Sequence, residues 1–318
     1  MRIDSGKQSV HKVPRPCSNK RKQRDDHHHH HHVAATPSPA HPHSSSRSKT
    51  WKIMTYNVWF RQDIELYNRM KALGNLIQLH SPDAICLQEV TRSIYEIFQK
   101  TSWWRSYNCT IADASSFPES SYFCLQLTRL PVKSSVRIPF RNSIMGRELI
   151  ITQVEIEDDK TITIATAHLE SPCPSPPKWN QMFSKERVTQ AREAVSFLDV
   201  YDDVIFCGDM NWNDGLDGPF PLPVGWIDAW TEMRPGEDGF TYDNRTNRMI
   251  KSRRVVQGRL DRFVCKTKDL GLVGIEMIGR DEIPELRYVK EKRGGVEEMV
   301  LPVLPSDHFG LVLTIALL

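Results

Sequence analysis

Several apolar runs along this chain end, or begin, on a polar side chain. Val204-Ile205-Phe206 reads as a buried strand. It runs into Cys207-Gly208-Asp209-Met210-Asn211, which sets a carboxylate and a carboxamide two residues apart at a tight turn. The pattern recurs. Ile53-Met54-Thr55-Tyr56-Asn57 ends in an amide, and Ala84-Ile85-Cys86-Leu87-Gln88-Glu89 in a carboxylate. Ile162-Thr163-Ile164-Ala165-Thr166-Ala167-His168 ends in an imidazole, and Ser306-Asp307-His308 stands just before the apolar run 309–317. If these tips meet in space, they make one polar site with a metal ligand, a base and phosphate-facing donors.

Between the strand-like runs lie helical patterns. Leu66, Met70, Leu73, Leu76 and Ile77 have helical spacing and lead into Ser81-Pro82-Asp83, a stop signal. Ile94, Ile97 and Phe98 predict a second helix. Phe183, Val188, Ala191, Val195 and Leu198 predict a third, with Lys185 and Arg187 on its polar side. Residues 107–112, 122–128, 132–138 and 148–156 read as strands, and 157–160 as a turn into the next strand. This order predicts an α/β (α+β) chain with two stacked mixed sheets and helices outside, in one domain over residues 50–318. No internal repeat is evident in the sequence.

Residues 1–49 differ in kind. They are rich in Ser, Pro, Lys, Arg and His and offer little apolar surface, so a disordered tail is expected. The run His27 to His32 lies inside this tail. Asn19-Lys20-Arg21-Lys22-Gln23-Arg24 is a basic cluster compatible with nuclear import or simply with a solvated tail. The 318 residues are 39% hydrophobic and 25% charged, as in ordinary soluble proteins, and a net charge of +3 is too small to imply a nucleic-acid partner by itself. Seven cysteines, several inside apolar runs and none in a CxxC pair, read as free thiols in a reducing compartment, not as disulfides or a structural zinc site. No apolar run reaches the roughly 18 residues of a membrane span, and the start of the chain lacks a signal-peptide core.

The polar tips suggest a chemistry. Glu89 reads either as a salt-bridged strand end or as a ligand for a hard divalent cation; Mg²⁺ suits one or two carboxylates, several waters and a phosphate oxygen. Asp209 is placed to orient or deprotonate a water, and Asn211 to donate to a phosphate oxygen, although both also favour an Asx turn. Asp307 next to His308 offers an acid and an imidazole, and a charged imidazole stabilises a pentacoordinate phosphorus. His168 suits similar work or a structural role. The chain has no GxSxG elbow, Walker loop or dinucleotide fingerprint. The mixture favours hydrolysis of a phosphodiester or phosphomonoester.

Thr55-Tyr56-Asn57, Leu87-Gln88-Glu89, His168-Leu169-Glu170-Ser171, Gly208-Asp209-Met210-Asn211 and Ser306-Asp307-His308, in this order, resemble the endonuclease/exonuclease/phosphatase superfamily. The resemblance covers residues 51–318. It implies a four-layer α-β-β-α sandwich of the DNase I-like kind. Tyr122-Phe123, Phe240-Thr241-Tyr242-Asp243, Arg259-Leu260-Asp261-Arg262 and the helix carrying Arg187 and Gln190 make it similar to the branch that hydrolyses the bond between a tyrosine oxygen and a 5′ phosphate of DNA. That resemblance implies Mg²⁺, with Mn²⁺ able to substitute, and DNA 5′ ends bearing tyrosyl peptides from trapped topoisomerase 2. It implies a monomer located in the nucleus, with the cytoplasm as a second location, and with no membrane partner. Glu89 is implied as the metal ligand and Asp209 as the principal acid/base. Asn57, Asn211 and His308 are implied to hold the scissile phosphate, with Asp307 supporting His308.

The same resemblance places His168, Leu169, Glu170 and Ser171 along the DNA path. It groups Val58, Trp59, Tyr122, Trp212, Asn213, Tyr242 and Leu260 about the substrate, with a narrow groove beside Trp59, Tyr122, Tyr242 and Leu260, and with Arg61, Arg187 and Arg253 expected to track phosphates. Departures from the branch are Tyr242 in place of Trp, Leu260 in place of an aromatic, Met210 in place of a small polar residue, and Trp59-Phe60 in place of an aspartate-bearing segment. The N-terminal region shows no ubiquitin-binding or zinc-finger pattern. Two other readings stay open: a different hydrolase of the fold (an abasic-site endonuclease, a deadenylase, or a phospholipid or inositide phosphatase), and a non-catalytic DNA-end binding module.

Overall fold

In the computed structural model, the first strand, β1 (Thr50–Asn57), leads through α1 (Leu66–His80) to β2 (Ala84–Val90) and α2 (Arg92–Gln99). Then come β3 (Asn108–Cys109), β4 (Phe123–Thr128), β5 (Val132–Pro139), β6 (Glu148–Glu155) and β7 (Thr161–His168). The chain continues through α3 (Ser184–Leu198), β8 (Val204–Asp209), the single turn α4 (Asp214–Asp217), β9 (Trp226–Asp228) and α5 (Ala229–Met233). It closes with β10 (Tyr242–Asp243), β11 (Gln257–Gly258), β12 (Asp261–Lys266), β13 (Leu270–Ile278), β14 (Arg287–Glu291), β15 (Glu298–Pro302) and β16 (Gly310–Leu317). The structure describes residues 49–110, 121–157, 159–176, 178–250, 252, 254–291 and 298–318. The basic tail, Asp158 of the expected turn, the end of the strand expected over 107–112, and Arg253 lie outside the described residues.

Two six-stranded sheets carry the fold, in the orders β13-β16-β1-β2-β4-β3 and β5-β6-β7-β8-β12-β9. Each has one parallel pair at its centre, β1 with β2 and β7 with β8, and a crossover helix joins each pair, α1 in the first sheet and α3 in the second. The remaining pairings are antiparallel. The halves are alike in topology, which the sequence does not betray as a repeat.

Side chains alternate across a strand, and here both faces are covered. Trp51, Ile53, Ala84 and Cys86 face Ile162, Ile164, Ile205, Cys207, Phe263 and Cys265 between the sheets. The intervening positions, Met54, Tyr56, Ile85 and Leu87, pack outward on Met70, Leu73, Ile77, Ile94 and Phe98 of α1 and α2. On the other side Ala165, Val204 and Phe206 pack on Ala191, Ala194, Val195 and Leu198 of α3. Double burial explains the unbroken apolar runs, and the layers stand in the order helix, sheet, sheet, helix. Cys86, Cys124, Cys207 and Cys265 are buried free thiols, whereas Cys173 is exposed.

Local signals act as expected at two helix ends. Ser81 takes left-handed backbone just before Pro82, and its N–H closes on the Ile77 carbonyl. Thr91 caps α2 by accepting from Ile94 N. The third helix departs from expectation. Arg187 does not sit on a polar face. Its side chain is fully buried, and it donates to Asp217 from Nε at 2.9 Å and from Nη2 at 2.8 Å. Such a pair is fixed by desolvation, since neither charge can be left alone inside. Arg187 therefore pins α4 to α3 and does not reach solvent phosphates.

Candidate active site

The topology brings the polar tips to one rim. In the parallel pairs Asn57 is level with Gln88, and His168 with Asp209. β12 runs antiparallel to β8, so its first residue, Asp261, lies opposite Asp209. β16 runs antiparallel to β1, so Ser306-Asp307-His308, just ahead of it, returns beside Asn57; the Ser306 hydroxyl donates to the Asn57 carbonyl at 2.6 Å.

Backbone distortion aims the side chains. Gly208 has φ +143°, and a Cβ there would lie 2.0 Å from the Ala167 carbonyl oxygen, so only glycine fits between β7 and Asp209. Trp59, Glu89 and Asn211 have left-handed backbone (φ 58°, 60° and 49°). Strain of this kind collects where a site over-determines the chain. At Glu89 the pairing of β2 with β4 skips from Leu87 to Val90, and this bulge turns the carboxylate to the rim, where Oε2 accepts from Phe60 N at 2.9 Å.

Asp209 is the hub. Its Oδ2 accepts from Asn57 Nδ2 at 2.9 Å and lies 3.3 Å from His168 Nε2 and 3.9 Å from His308 Nε2. Its Oδ1 accepts from Asn211 N at 2.9 Å. Burial pushes this carboxyl up, but the two imidazoles, Asn57 and the Asn211 N–H outweigh it, and the net shift is downward. The two histidines are tuned apart. His168 Nδ1 is 2.9 Å from Arg147 Nη1. Arginine only donates, so Nδ1 is the acceptor and the ring proton sits on Nε2, facing Asp209. Burial and the Arg147 charge hold His168 well below the ordinary range, hence neutral. His308 Nδ1 instead donates to Asp261 Oδ2 at 2.8 Å. Burial opposes its charge, yet Asp261 and Asp209 raise it well above the ordinary range, hence cationic.

This overturns one assignment. Asp307 is not the hydrogen-bond partner of His308; among the described residues its Oδ1 accepts only a long 3.3 Å bond from Ser306 Oγ, while Asp261 holds the ring and Asp307 acts on it through charge alone. Adjacent residues point apart, so the dyad forms across strands. Asp307 is instead half-buried toward the rim, and burial, with the negative charges of Glu89 and Asp209, pushes it up to about 7. Asp261 in turn is set by Thr241, whose hydroxyl accepts from Leu260 N and Asp261 N at 3.1 and 3.0 Å.

The wider set of expected substrate residues splits. Val58, Leu169 and Trp212 are core residues, and Glu170 is fully buried. The Glu170 carboxylate accepts from Ser143 Oγ, Ile144 N, Met145 N and Gln190 Nε2, which ties down the loop before β6. Val58, Leu169 and Glu170 face the interior, whereas Trp212, though buried, still borders the cleft beside Asn211 and Asn213. Asn213 caps α4 through Gly215 N and Leu216 N, at the edge of a cleft. Ser171 Oγ accepts from Arg147 Nη2 at 2.8 Å, and the same nitrogen donates to the Tyr122 hydroxyl at 3.1 Å. Tyr122 stacks on Phe60 at 5.1 Å and lies 6.0 Å from the His168 ring. Arg61 is exposed but paired with Asp63.

Tyr242, whose ring meets His308 edge-on at 5.2 Å, borders two clefts. The first, about 720 Å³, reaches Asn211 and His308 and is walled by Phe240, Leu260 and Arg259. The second, about 980 Å³, reaches Asp307 and is walled by Trp59, Met249 and Tyr288.

The donor set fits a hard cation. Glu89, Asp209, Asp261 and Asp307 converge on one imidazolium, and a buried oxygen of Asp261, Oδ1, has no hydrogen-bond partner among the described residues. Burial raises the Glu89 carboxyl, and Asp209 adds to that, so negative charge here is under-compensated. Glu89, His168 and Asp209 offer ligand atoms within 4.8 Å of one another, but His168 Nε2 is occupied by its proton, which leaves oxygen donors.

A double sheet with an acid–amide–imidazole rim defines a class, and the sequence agrees: residues 54–308 match the endonuclease/exonuclease/phosphatase family, to which the chain belongs. Among individual relatives, the chain is 25% identical over 296 residues to tyrosyl-DNA phosphodiesterase 2 of Xenopus tropicalis, covering 90% of this chain and 73% of the relative. It is 26% identical over 278 residues to that of Rattus norvegicus, covering 84% and 67%. Its fold is similar to D. rerio TDP2 complexed with single strand DNA product, at a TM-score of 0.68 and 23% identity, over 84% of this chain and 98% of that one. It is also similar to the human Nocturnin catalytic domain, at a TM-score of 0.58 and 16% identity, over 85% and 94%.

Proposed function

We propose that this protein is a divalent-metal-dependent phosphodiesterase that hydrolyses the 5′-phosphotyrosyl bond between DNA and a trapped topoisomerase 2 peptide, leaving a 5′ phosphate. The observation that carries the reading is one buried carboxylate, Asp209, ringed by the Asn57 amide, the Asn211 N–H and two histidines whose other ring nitrogens face Arg147 and Asp261. The likeness to tyrosyl-DNA phosphodiesterase 2 supports the substrate.

In this reading Asp209, ionised and surrounded by donors, orients the attacking water and accepts its proton. Neutral His168 keeps Asp209 in place through Nε2–H. Cationic His308 and the amides of Asn57 and Asn211 bind the phosphoryl oxygens as charge builds on phosphorus. Glu89 holds the cation, taken as Mg²⁺ with Mn²⁺ able to substitute, which supplies Lewis-acid stabilisation of a phosphoryl oxygen when bound. Tyrosine leaves as a phenolate, an easy departure for a group of pKa about 10. The DNA strand enters the first cleft, with Tyr242 and Leu260 beside the terminal base. We place the enzyme as a monomer in the nucleus, where such adducts arise.

The test is product analysis on matched 5′-tyrosyl and 3′-tyrosyl oligonucleotides, with Mg²⁺ and with a chelator. The expected result is metal-dependent release of tyrosine from the 5′ substrate alone. Release only from the 3′ substrate, or from neither while abasic DNA or a phospholipid is cleaved, overturns the assignment.

A further inference from the structure

Arg69, in the first turn of α1, is a fully buried cation that the proposed chemistry does not use. A positive charge near a helix N-terminus opposes the helix dipole, so α1 itself gives no reason for it. Nor does an ion pair. A guanidinium has five N–H donors, and here all of them go to backbone carbonyls. Nε donates to Ile64 O at 2.8 Å, Nη1 to Val58 O and Pro305 O at 3.1 and 3.4 Å, and Nη2 to Trp59 O and Arg61 O at 3.2 and 2.5 Å. The Trp59 ring covers the group, with its centre 5.0 Å away. Burial pulls Arg69 down to about 10, so it stays charged at neutral pH.

Four of these carbonyls belong to one loop, 58–64, which wraps the guanidinium with its oxygens inward. Three successive N–H groups of the same loop serve the rim. Val58 N donates to Gln88 O at 3.0 Å, Trp59 N to Asn57 Oδ1 at 3.0 Å, and Phe60 N to Glu89 Oε2 at 2.9 Å. Trp59 N thereby decides which way the Asn57 amide lies and leaves its Nδ2 for Asp209. The fifth carbonyl, that of Pro305, directly precedes Ser306-Asp307-His308. We infer that Arg69 is a positioning residue for this reaction: its guanidinium gathers two rim loops, and through them it holds Glu89 for the cation and Asn57 for the scissile phosphate. The inference deepens the activity proposed above and rests on it. Lysine cannot take over, because its ammonium has three donors and no planar fork with which to span five carbonyls.

The test compares the whole wild-type protein with Arg69→Lys, Arg69→Ala and Leu198→Ala, the last a cavity in the core beneath α3 that controls for lost stability. Mn²⁺ binding is measured by calorimetry without DNA, and kcat and KM are measured on a 5′-tyrosyl oligonucleotide. Both Arg69 variants should bind Mn²⁺ about tenfold more weakly and lose about 10- to 100-fold in kcat, with KM little changed because the first cleft is untouched. Guanidinium ion, added far below denaturing concentrations, should restore Arg69→Ala, whereas urea, of like shape but uncharged, should not. Leu198→Ala should match wild type in both assays. Arg69 variants that behave as Leu198→Ala does overturn the inference. If neither Arg69 variant folds, nitrogen-15 NMR of the wild type decides: the Arg69 Nε–H and Phe60 N–H signals should move together as Mg²⁺ is added, and an Arg69 signal unmoved at saturating Mg²⁺ overturns the inference. A wild-type protein that binds Mn²⁺ but leaves the tyrosyl substrate uncut overturns the proposed activity, while the metal-binding readouts still judge Arg69.

Discussion

Asp209→Asn tests the centre of the site, and the structure says why so small a change should be severe. Both carboxylate oxygens of Asp209 face donors: Oδ1 the Asn211 N–H at 2.9 Å, and Oδ2 the Asn57 amide at 2.9 Å and His168 Nε2–H at 3.3 Å. An asparagine has one oxygen and one NH₂. Either orientation points the NH₂ at a buried donor that then has no acceptor. Turning the oxygen toward Asn57 and His168 is the lesser conflict and strands Asn211 N, inside the left-handed turn that aims Asn211. One buried donor without a partner costs about 1–3 kcal/mol of stability. The charge is lost as well. Asp209 is one of the groups that raise His308, so the imidazolium weakens together with the base. General-base loss alone is worth about 10²- to 10⁴-fold. Single-turnover cleavage of a 5′-tyrosyl oligonucleotide should fall at least that far, chemical denaturation should show the stability loss, and anisotropy should show DNA affinity largely kept. Turnover within fivefold of wild type would refute both the role and the donor-crowding argument.

Asp261→Asn keeps an acceptor for His308 Nδ1 but removes the charge that raises its pKa, so the imidazolium deprotonates at lower pH. Activity that needs the cation is present below that pKa and lost above it. The alkaline limb of the pH–rate profile should therefore move to lower pH, with about 10²-fold loss at pH 8; an unmoved limb would sink the dyad. Gly208→Ala places a Cβ 2.0 Å from the Ala167 carbonyl oxygen, in backbone that forbids it, and should cost about 3 kcal/mol or more by denaturant titration. A cost under 1 kcal/mol would mean that β7 and β8 are not so closely registered. Glu89→Gln takes one hard anionic oxygen from the rim and should raise the Mg²⁺ concentration for half-activity by about tenfold or more. An unchanged Mg²⁺ titration assigns the cation to other residues.

The layers were readable because double burial leaves long apolar runs, and three helices showed their spacing. The rim was readable where a strand ends on a polar residue, as at Asn57, Glu89, His168 and Asp209. Asp261 escaped because it begins a strand, and only the antiparallel register of β12 with β8 sets it opposite Asp209. Its signal was present in weaker form: an acid opening the apolar run Phe263-Val264-Cys265, much as Asp307-His308 opens β16. Arg147 left no signal, since a single arginine before a strand says nothing of a buried fork reaching His168, Tyr122 and Ser171. Glu170, Leu169 and Val58 were misjudged for the opposite reason. They neighbour rim residues in sequence, but strand alternation and the turns beside them send their side chains into the interior.

That alternation also explains why the chemistry stands at this rim. On inward-facing positions β1 reads Trp51, Ile53, Thr55, Asn57, and β7 reads Ile162, Ile164, Thr166, His168. β2 reads Ala84, Cys86, Gln88; β8 reads Ile205, Cys207, Asp209; β12, in reverse, reads Cys265, Phe263, Asp261. The parallel pairs run in one direction, so the inter-sheet layer is graded from apolar to polar toward the rim. Between the two zones Gln88 Nε2 donates to Thr55 Oγ1 at 3.2 Å and to Thr166 Oγ1 at 3.1 Å, linking the sheets. This uncharged layer is saturated with its own hydrogen bonds, so it neither neutralises the charges above it nor admits water from below. Asp209, Asp261 and His308 are thus held on a dry, rigid floor, where each charge acts at short range on its neighbours and on whatever phosphate is placed over them.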